Sequence, residues 1–458
     1  MSSNSRLSRR QLLRSASAAA GLLAVTGILE ACGGGAAAPS SAAPTSPSAA
    51  AKPASGAPAA SASAKPAASG AAAASGKPAA SAASAAAKPA AGTPLKLGWL
   101  VSNTGVYASI GADMTNGLQL YLDGVNNTAG GRPITVLKED EGPADGKVAL
   151  EKGRKLIEQD KVDLLAGVIA SPDAAALRDP ANDSRTIFLI ANAGANVLSR
   201  KLKSKYLFRT SFSNWQNCFP AGKWFYDNIG HEAAVMAPDY SAGHEDIDAF
   251  KESFTAAGGK VVKEAYPPLG TTGDYSPYLT DVKSANPKGI FAFFAGADAL
   301  KFVKQYAQFG LIKQFPLLTP GFPTADDVLP SEGKDALGIK SSIHYGWTLD
   351  NPENKKFVAD YRAKYNKPPS VYALQAYDTG HVIVEALNKT QGDVSDKDKL
   401  AEVIQGVKFN SPRGPFSFDP DTNNVVEHIY LFEVKEVNGE MANAYLADLG
   451  EVKDPGKP

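Results

Sequence analysis

From Leu95 onward, short apolar runs alternate with segments whose apolar residues recur at helical spacing. Residues 95–101 are predicted as a strand, after which Met114, Leu118, Tyr121, Leu122 and Val125 mark one face of a helix. The next strand covers 134–137, introduced by the turn Gly130-Gly131-Arg132-Pro133. A helix through Leu156 and Ile157, a buried strand over 162–167, a short helix from Pro172, a strand over 187–190 and a strand near 206–208 complete a first series. A second series runs from a strand over 233–237 through a helix to Ala257, a strand at Val261-Val262, a helix, a strand over 290–294, another helix and a strand near Leu317-Leu318. Repeated strand–helix–strand units predict parallel sheets covered by helices on both faces. Two series predict an α/β fold of two doubly wound parallel-sheet lobes. Such sheets bind ligands beyond their C-terminal strand ends, where the strand order reverses. Two lobes facing each other with those ends would form a cleft.

Residues 1–94 follow another pattern. Over 33–94 the chain is almost entirely Ala, Ser, Pro, Gly and Lys, and Lys52, Lys65, Lys77 and Lys88 each precede a proline. So little apolar bulk cannot offset chain entropy, so this segment is expected to be a disordered linker with a reach of roughly 40–50 Å. Residues 1–32 read as an export signal. Arg9-Arg10 followed by Gln11-Leu12-Leu13-Arg14 matches the twin-arginine pattern, and the uncharged stretch 16–29 is too short to span a bilayer. It ends in Leu29-Glu30-Ala31-Cys32-Gly33, which resembles the lipobox of bacterial lipoproteins, although Glu30 departs from it. That resemblance implies lipid attachment at Cys32 and a membrane-anchored, exported protein.

Composition narrows the function further. The net charge is +0, which leaves no general excess of Lys and Arg for a nucleic-acid partner. Only two cysteines occur, so with Cys32 lipidated Cys218 has no disulfide partner and is expected to be a small buried hydrophobe. No G-x-S-x-G elbow, phosphate-binding loop or H-E-x-x-H helix is present, and the five histidines are scattered without metal-ligand spacing. The reading is of a protein that is not an enzyme and uses no cofactor or metal.

Several spaced motifs together carry a family resemblance. Residues 98–105 with Gly111, Gly130-Gly131-Arg132-Pro133-Ile134, residues 155–163 followed by Gly167 and Ser171, residues 192–196, and residues 238–243 stand in the order found in type I periplasmic solute-binding proteins. The globular part resembles specifically the group containing the leucine/isoleucine/valine-binding protein. That resemblance implies three crossings between lobes, placed near Ser213, Tyr345 and Thr422. Lobe one would hold 95–214 plus 347–421, and lobe two 215–346 plus 422–450. It further implies a monomer that captures a small carboxylate-bearing solute, amino acid-type or aromatic or organic acid, by hinge closure, and presents it to the permease of an ABC transporter. The alternatives are a sensor subunit for amides or organic acids, and a cleft hydrolase.

Ser171, just before Pro172, reads as a helix N-cap whose hydroxyl and N–H suit a ligand carboxylate, and the resemblance places such a contact there. By alignment with the family, Gly194 and Asn196 would touch the ligand headgroup. Tyr107, Tyr240 and Phe322 are aromatic candidates for ligand packing. Trp215 and Trp347 fall beside proposed crossings, and Trp99 is expected in the core. The amino-acid binders carry a ligand-pairing Glu after the strand matching Leu317-Leu318, where this chain has Gly321. That departure shifts weight toward solutes without an ammonium group unless Asp239, Asp298 or Asp326 substitutes.

Overall fold

The computed structural model describes residues 92–270 and 273–457. The predicted signal, Cys32 and nearly all of the linker lie outside them. The first sheet has six strands, in the spatial order Thr128–Ala129, Arg132–Asp140, Leu95–Val101, Leu164–Gly167, Ile187–Ile190, Leu207–Arg209. All neighbours pair in parallel except Thr128–Ala129, which folds back onto Arg132–Asp140 through the predicted glycine turn. Gly130 and Gly131 both have positive φ, 55° and 76°, a conformation that costs a glycine little. The strands are near-continuous apolar runs because both faces are covered: Leu164–Gly167 and Ile187–Ile190 are buried at every position.

The second sheet has nine strands and is mixed. Its parallel part runs Lys260–Ala265, Glu232–Met236, Gly289–Ala292, Leu317–Thr319, Lys340–Ile343. The long strand Val425–Val437 then joins antiparallel to Lys340–Ile343, and pairs with Gly414–Phe418 and Glu440–Val452. The doubly wound parallel core is present in both lobes, as the sequence predicts, and the second lobe adds this antiparallel flank to it. Val425–Val437 follows Gly414–Phe418 in the same sheet through a short connection with no helix, which pairs strands antiparallel. Alternating burial along Val425–Val437 records that one-sided placement.

Numbered in chain order, the five parallel strands of each sheet follow the same spatial sequence, two-one-three-four-five. The order reverses between the first and third strand in both lobes. The segments after Arg209, Ile343 and Phe418 contain Ser213, Tyr345 and Thr422, the positions where crossings are expected, and the last of them joins two strands of one sheet, Gly414–Phe418 and Val425–Val437. The described residues of both lobes belong to one compact unit.

Arg413, 1% exposed, ties these segments together. Its guanidinium donates to the carbonyls of Thr210 and Ser211, to Asp378 at 2.8 Å and to Glu427 at 2.6 Å. His344, just after Lys340–Ile343, lies 3.2 Å from the Asn217 amide oxygen and 3.2 Å from the Gln375 amide nitrogen. Burial and the Arg413 charge hold its pKa well below the usual histidine value, so it stays neutral. Trp99 and Cys218 are fully buried, as the sequence predicts.

Candidate functional site

The loops that leave the strands at both points of reversal converge on one narrow cavity, about 30 Å³ and partly open to solvent. In the first lobe, Tyr107 and Ile110 follow the first parallel strand, Ile169 and Ser171 the third, Asn192 and Gly194 the fourth, Phe212 and Asn214 the fifth. In the second lobe, Tyr240 and Ala242 follow the first strand, Phe293 and Ala295 the third, and Phe322 the fourth. Tyr372 completes the wall from the helix Val371–Lys389.

Because parallel strands hand over to helices here, helix starts surround the cavity. Lining residues lie at the beginnings of Ala108–Gly124, Ser171–Asp183, Asn214–Asn228, Ser241–Ala256, Gly296–Gln308 and Val371–Lys389. Four of them, starting at Ala108, Ser171, Ser241 and Gly296, have no side-chain cap. Their first-turn N–H groups and dipoles make the site attractive to an anion without any basic side chain. The lining contains no Asp, Glu, Lys, Arg or His.

Six of the lining residues are aromatic. Phe322 packs at 5.1 Å between ring centroids from Phe212, 5.9 Å from Phe293 and 5.9 Å from Tyr372. Tyr240 stacks over Phe293 at 6.4 Å. Across the cleft, the Tyr107 hydroxyl donates to that of Tyr240 at 3.1 Å, and the Ser109 hydroxyl donates to Asp327 at 2.8 Å. The lobes are closed on each other: a Cβ on Gly296 would stand 2.3 Å from the Val106 carbonyl oxygen, so only glycine allows this approach.

Five of the six residues proposed from sequence, Tyr107, Ser171, Gly194, Tyr240 and Phe322, come together in this cavity. Ser171 is the first residue of its helix and Ala170 takes the cap position, so the hydroxyl is not spent on capping. Asp173, in the same turn, turns away: its carboxylate accepts from the Gly146 N–H at 2.8 Å, and burial raises its pKa to about 7. The Gly194 carbonyl already accepts from Asn214 N–H at 2.8 Å, and a Cβ at 194 would stand 1.9 Å from the Asn214 amide oxygen. Asn196 does not line the cavity. Its amide oxygen accepts from Trp215 N–H at 3.0 Å, its own N–H donates to Glu245, and it faces a neighbouring crevice. Trp215 stacks on Phe219 and Trp347 lies under Arg362; both are packing residues outside the cavity.

Asn192 enters the sequence analysis only as part of the loop 192–196, and Phe212, Asn214, Phe293 and Tyr372 are not singled out there. The first four follow directly on a parallel strand and were open to the strand-end rule; Tyr372 is on a helix no such rule reaches. None of Asp239, Asp298 and Asp326 lines the cavity. Asp239 pairs with His244, and Asp298 accepts from Gly270 N–H. Gly321 has φ 86°, and a Cβ there would stand 2.5 Å from Ile343. The lining thus offers apolar area and neutral donors, and no carboxylate for a buried cation. Among the described residues no group of three or more His, Cys, Asp or Glu is arranged to hold a metal ion, and no helix is long and apolar enough to cross a membrane.

Residues 94–440 match the family described as periplasmic binding protein. The Leu/Ile/Val-binding protein homolog 6 of Brucella melitensis is 33% identical over 367 residues, covering 79% of this chain and 93% of the relative. A solute-binding protein of an ABC transporter from R. palustris, solved in complex with benzoate, superposes with a TM-score of 0.76 at 34% identity, covering 80% of this chain and 99% of that one. Another, from Rhodopseudomonas palustris BisB5 in complex with 3,4-dihydroxybenzoic acid, gives 0.75 at 34% identity, covering 79% and 99%. The chain belongs to the periplasmic binding proteins, a family not of enzymes but of the solute-binding components that serve ABC transporters.

Proposed function

We propose that this protein is the capture subunit of an uptake transporter for an aromatic carboxylic acid. The observation that carries the reading is the cavity lining: six aromatic rings, four uncapped helix starts and no charged side chain. The rings suit a flat apolar body. The helix starts and the Ser171 hydroxyl suit one carboxylate, while a zwitterionic amino acid would bury its ammonium without a counter-charge. The ligands of the two R. palustris relatives, benzoate and 3,4-dihydroxybenzoic acid, have this chemistry.

Ser171, Gly194, Tyr107, Tyr240 and Phe322 are the contacts we assign to the solute, with Asn192, Asn214, Phe293 and Tyr372 added. The two lobes, each built on one of the two sheets, move about the segments that join them, and closure traps the solute. The twin-arginine pattern and the lipobox-like run at Cys32 support export as a lipid-anchored monomer on a long leash, delivering its cargo to a membrane permease.

Titration calorimetry and thermal unfolding with benzoate, ring-substituted benzoates and leucine test the reading. A saturating benzoate-type ligand at about 100 times its Kd adds about 2.7 kcal/mol to stability. Stabilisation by leucine with none by any aromatic acid would overturn it.

A further inference from the structure

Tyr372 carries a polar atom that nothing among the described residues satisfies. It lines the cavity from the first turn of its helix, is 1% exposed, and its hydroxyl has no hydrogen-bond partner. Buried hydroxyls are paired in native proteins, so an unpaired one in a binding cavity marks a place where a ligand atom completes the bond. Two more phenols stand near it. Tyr107 and Tyr240 share one hydrogen bond, and burial together with the proximity of Tyr107 and Tyr372 pushes the Tyr240 hydroxyl well up, so all three remain neutral donors. One shared bond uses only one of the two hydrogens on Tyr107 and Tyr240, so one of these and that of Tyr372 are left to meet a ligand acceptor.

Two rings, Phe212 and Phe322, stand in the packing between Tyr372 and the Gly194 loop. Phe212 packs against Gly194, Phe322 packs on Phe212, and Tyr372 packs on Phe322. Carboxylates stand behind the phenols. Burial first, and then the charges of Asp327 and Asp113, hold the Tyr372 hydroxyl well above its usual pKa, and Asp113 Oδ2 and Asp327 Oδ1 have no partners of their own. The lining here has no cation, so a neutral hydroxyl is received more readily than a second carboxylate, whose desolvation nothing offsets.

Resting on the aromatic-acid reading above, we propose that the solute carries a neutral hydroxyl on its ring, received by Tyr372 and Tyr240, and that Tyr372 sets the selectivity for it. Calorimetry on the full-length protein compares benzoate, 3-hydroxybenzoate, 4-hydroxybenzoate and terephthalate. A net hydrogen bond of ordinary strength makes at least one hydroxybenzoate bind about fivefold tighter than benzoate. Terephthalate, with its second carboxylate, binds more weakly than either. In Tyr372→Phe the ratio of the benzoate and hydroxybenzoate Kd values falls to about one, whichever way the absolute affinities move. Equal binding of benzoate and both hydroxybenzoates to the unmodified protein, terephthalate binding as tight as theirs, or a preference that survives in Tyr372→Phe would each overturn the proposal while leaving the aromatic-acid reading intact. Failure of all four acids, with leucine bound, removes that reading itself. The ligand series on the unmodified protein decides the matter even if the variant does not fold.

Discussion

The hydroxyl oxygens of Tyr107 and Tyr240 lie 3.1 Å apart and belong to opposite lobes, so their bond exists only while the cleft is shut. Both residues also line the cavity, which places the latch beside the solute. Replacing Tyr240 by Phe keeps the ring and removes the bond. A neutral hydrogen bond is worth about 1 kcal/mol, so ligand dissociation should accelerate roughly fivefold. Stopped-flow fluorescence checks it; an unchanged off-rate would mean that the latch contributes nothing to the closed state.

Ser171 and Asn196 separate two otherwise similar expectations. A hydroxyl donating to an anionic ligand contributes about 1.5–3 kcal/mol, so Ser171→Ala should weaken binding roughly ten- to hundredfold. Asn196 faces Trp215 rather than the cavity, and Asn196→Ala should leave the Kd within about threefold. Calorimetry on the two variants measures both. The reverse ranking would relocate the headgroup to the crevice beside Glu245.

Arg413 is expected to matter for stability and not through the solute. Arg413→Met leaves Asp378 and Glu427 buried without their partner, a loss of about 3–5 kcal/mol. Urea unfolding of the unliganded protein reports it. A loss below about 1 kcal/mol would show that the two carboxylates find other partners or take up protons at little cost.

Stability should fall as the solution becomes more alkaline. Burial raises the pKa of Asp326 to about 8, that of Asp327 to about 7 and that of Glu141 to about 8. Between the ordinary carboxylate range and those values the native fold holds protons that the unfolded chain has released, so the unfolded state binds fewer and stability declines with rising pH. Asp326→Asn, which mimics the protonated form, should raise the melting temperature at pH 8 and leave it unchanged at pH 4. Melting curves at the two pH values test this, and an equal shift at both would sink the ionisation account.

Much of this molecule is legible in its sequence because burial on both faces writes a parallel strand as a short apolar run. Leu95–Val101, Ile187–Ile190 and Leu317–Thr319 stand where those runs do. The antiparallel closing part is harder to read. Glu440–Val452 is mostly half-exposed and carries few consecutive apolar residues, and the Lys408–Ser411 and Gly414–Phe418 hairpin is too short to show a period. The cavity is half legible. Ser171 and Tyr240 follow predicted strands, so the strand-end rule finds them. Tyr372 instead enters from the start of a helix that follows another helix, Pro352–Tyr365, and no strand end points to it. Asn196 is placed in the site by alignment alone, whereas the local turn sends its side chain to Trp215.

The shared strand order of the two sheets has a consequence for how selectivity can change. The loops after the first, third and fourth strands line the cavity in both halves, so much of its wall is built twice over from equivalent positions. One half can acquire new side chains while the other keeps its hold, and a new cargo can be tried without first surrendering the old one.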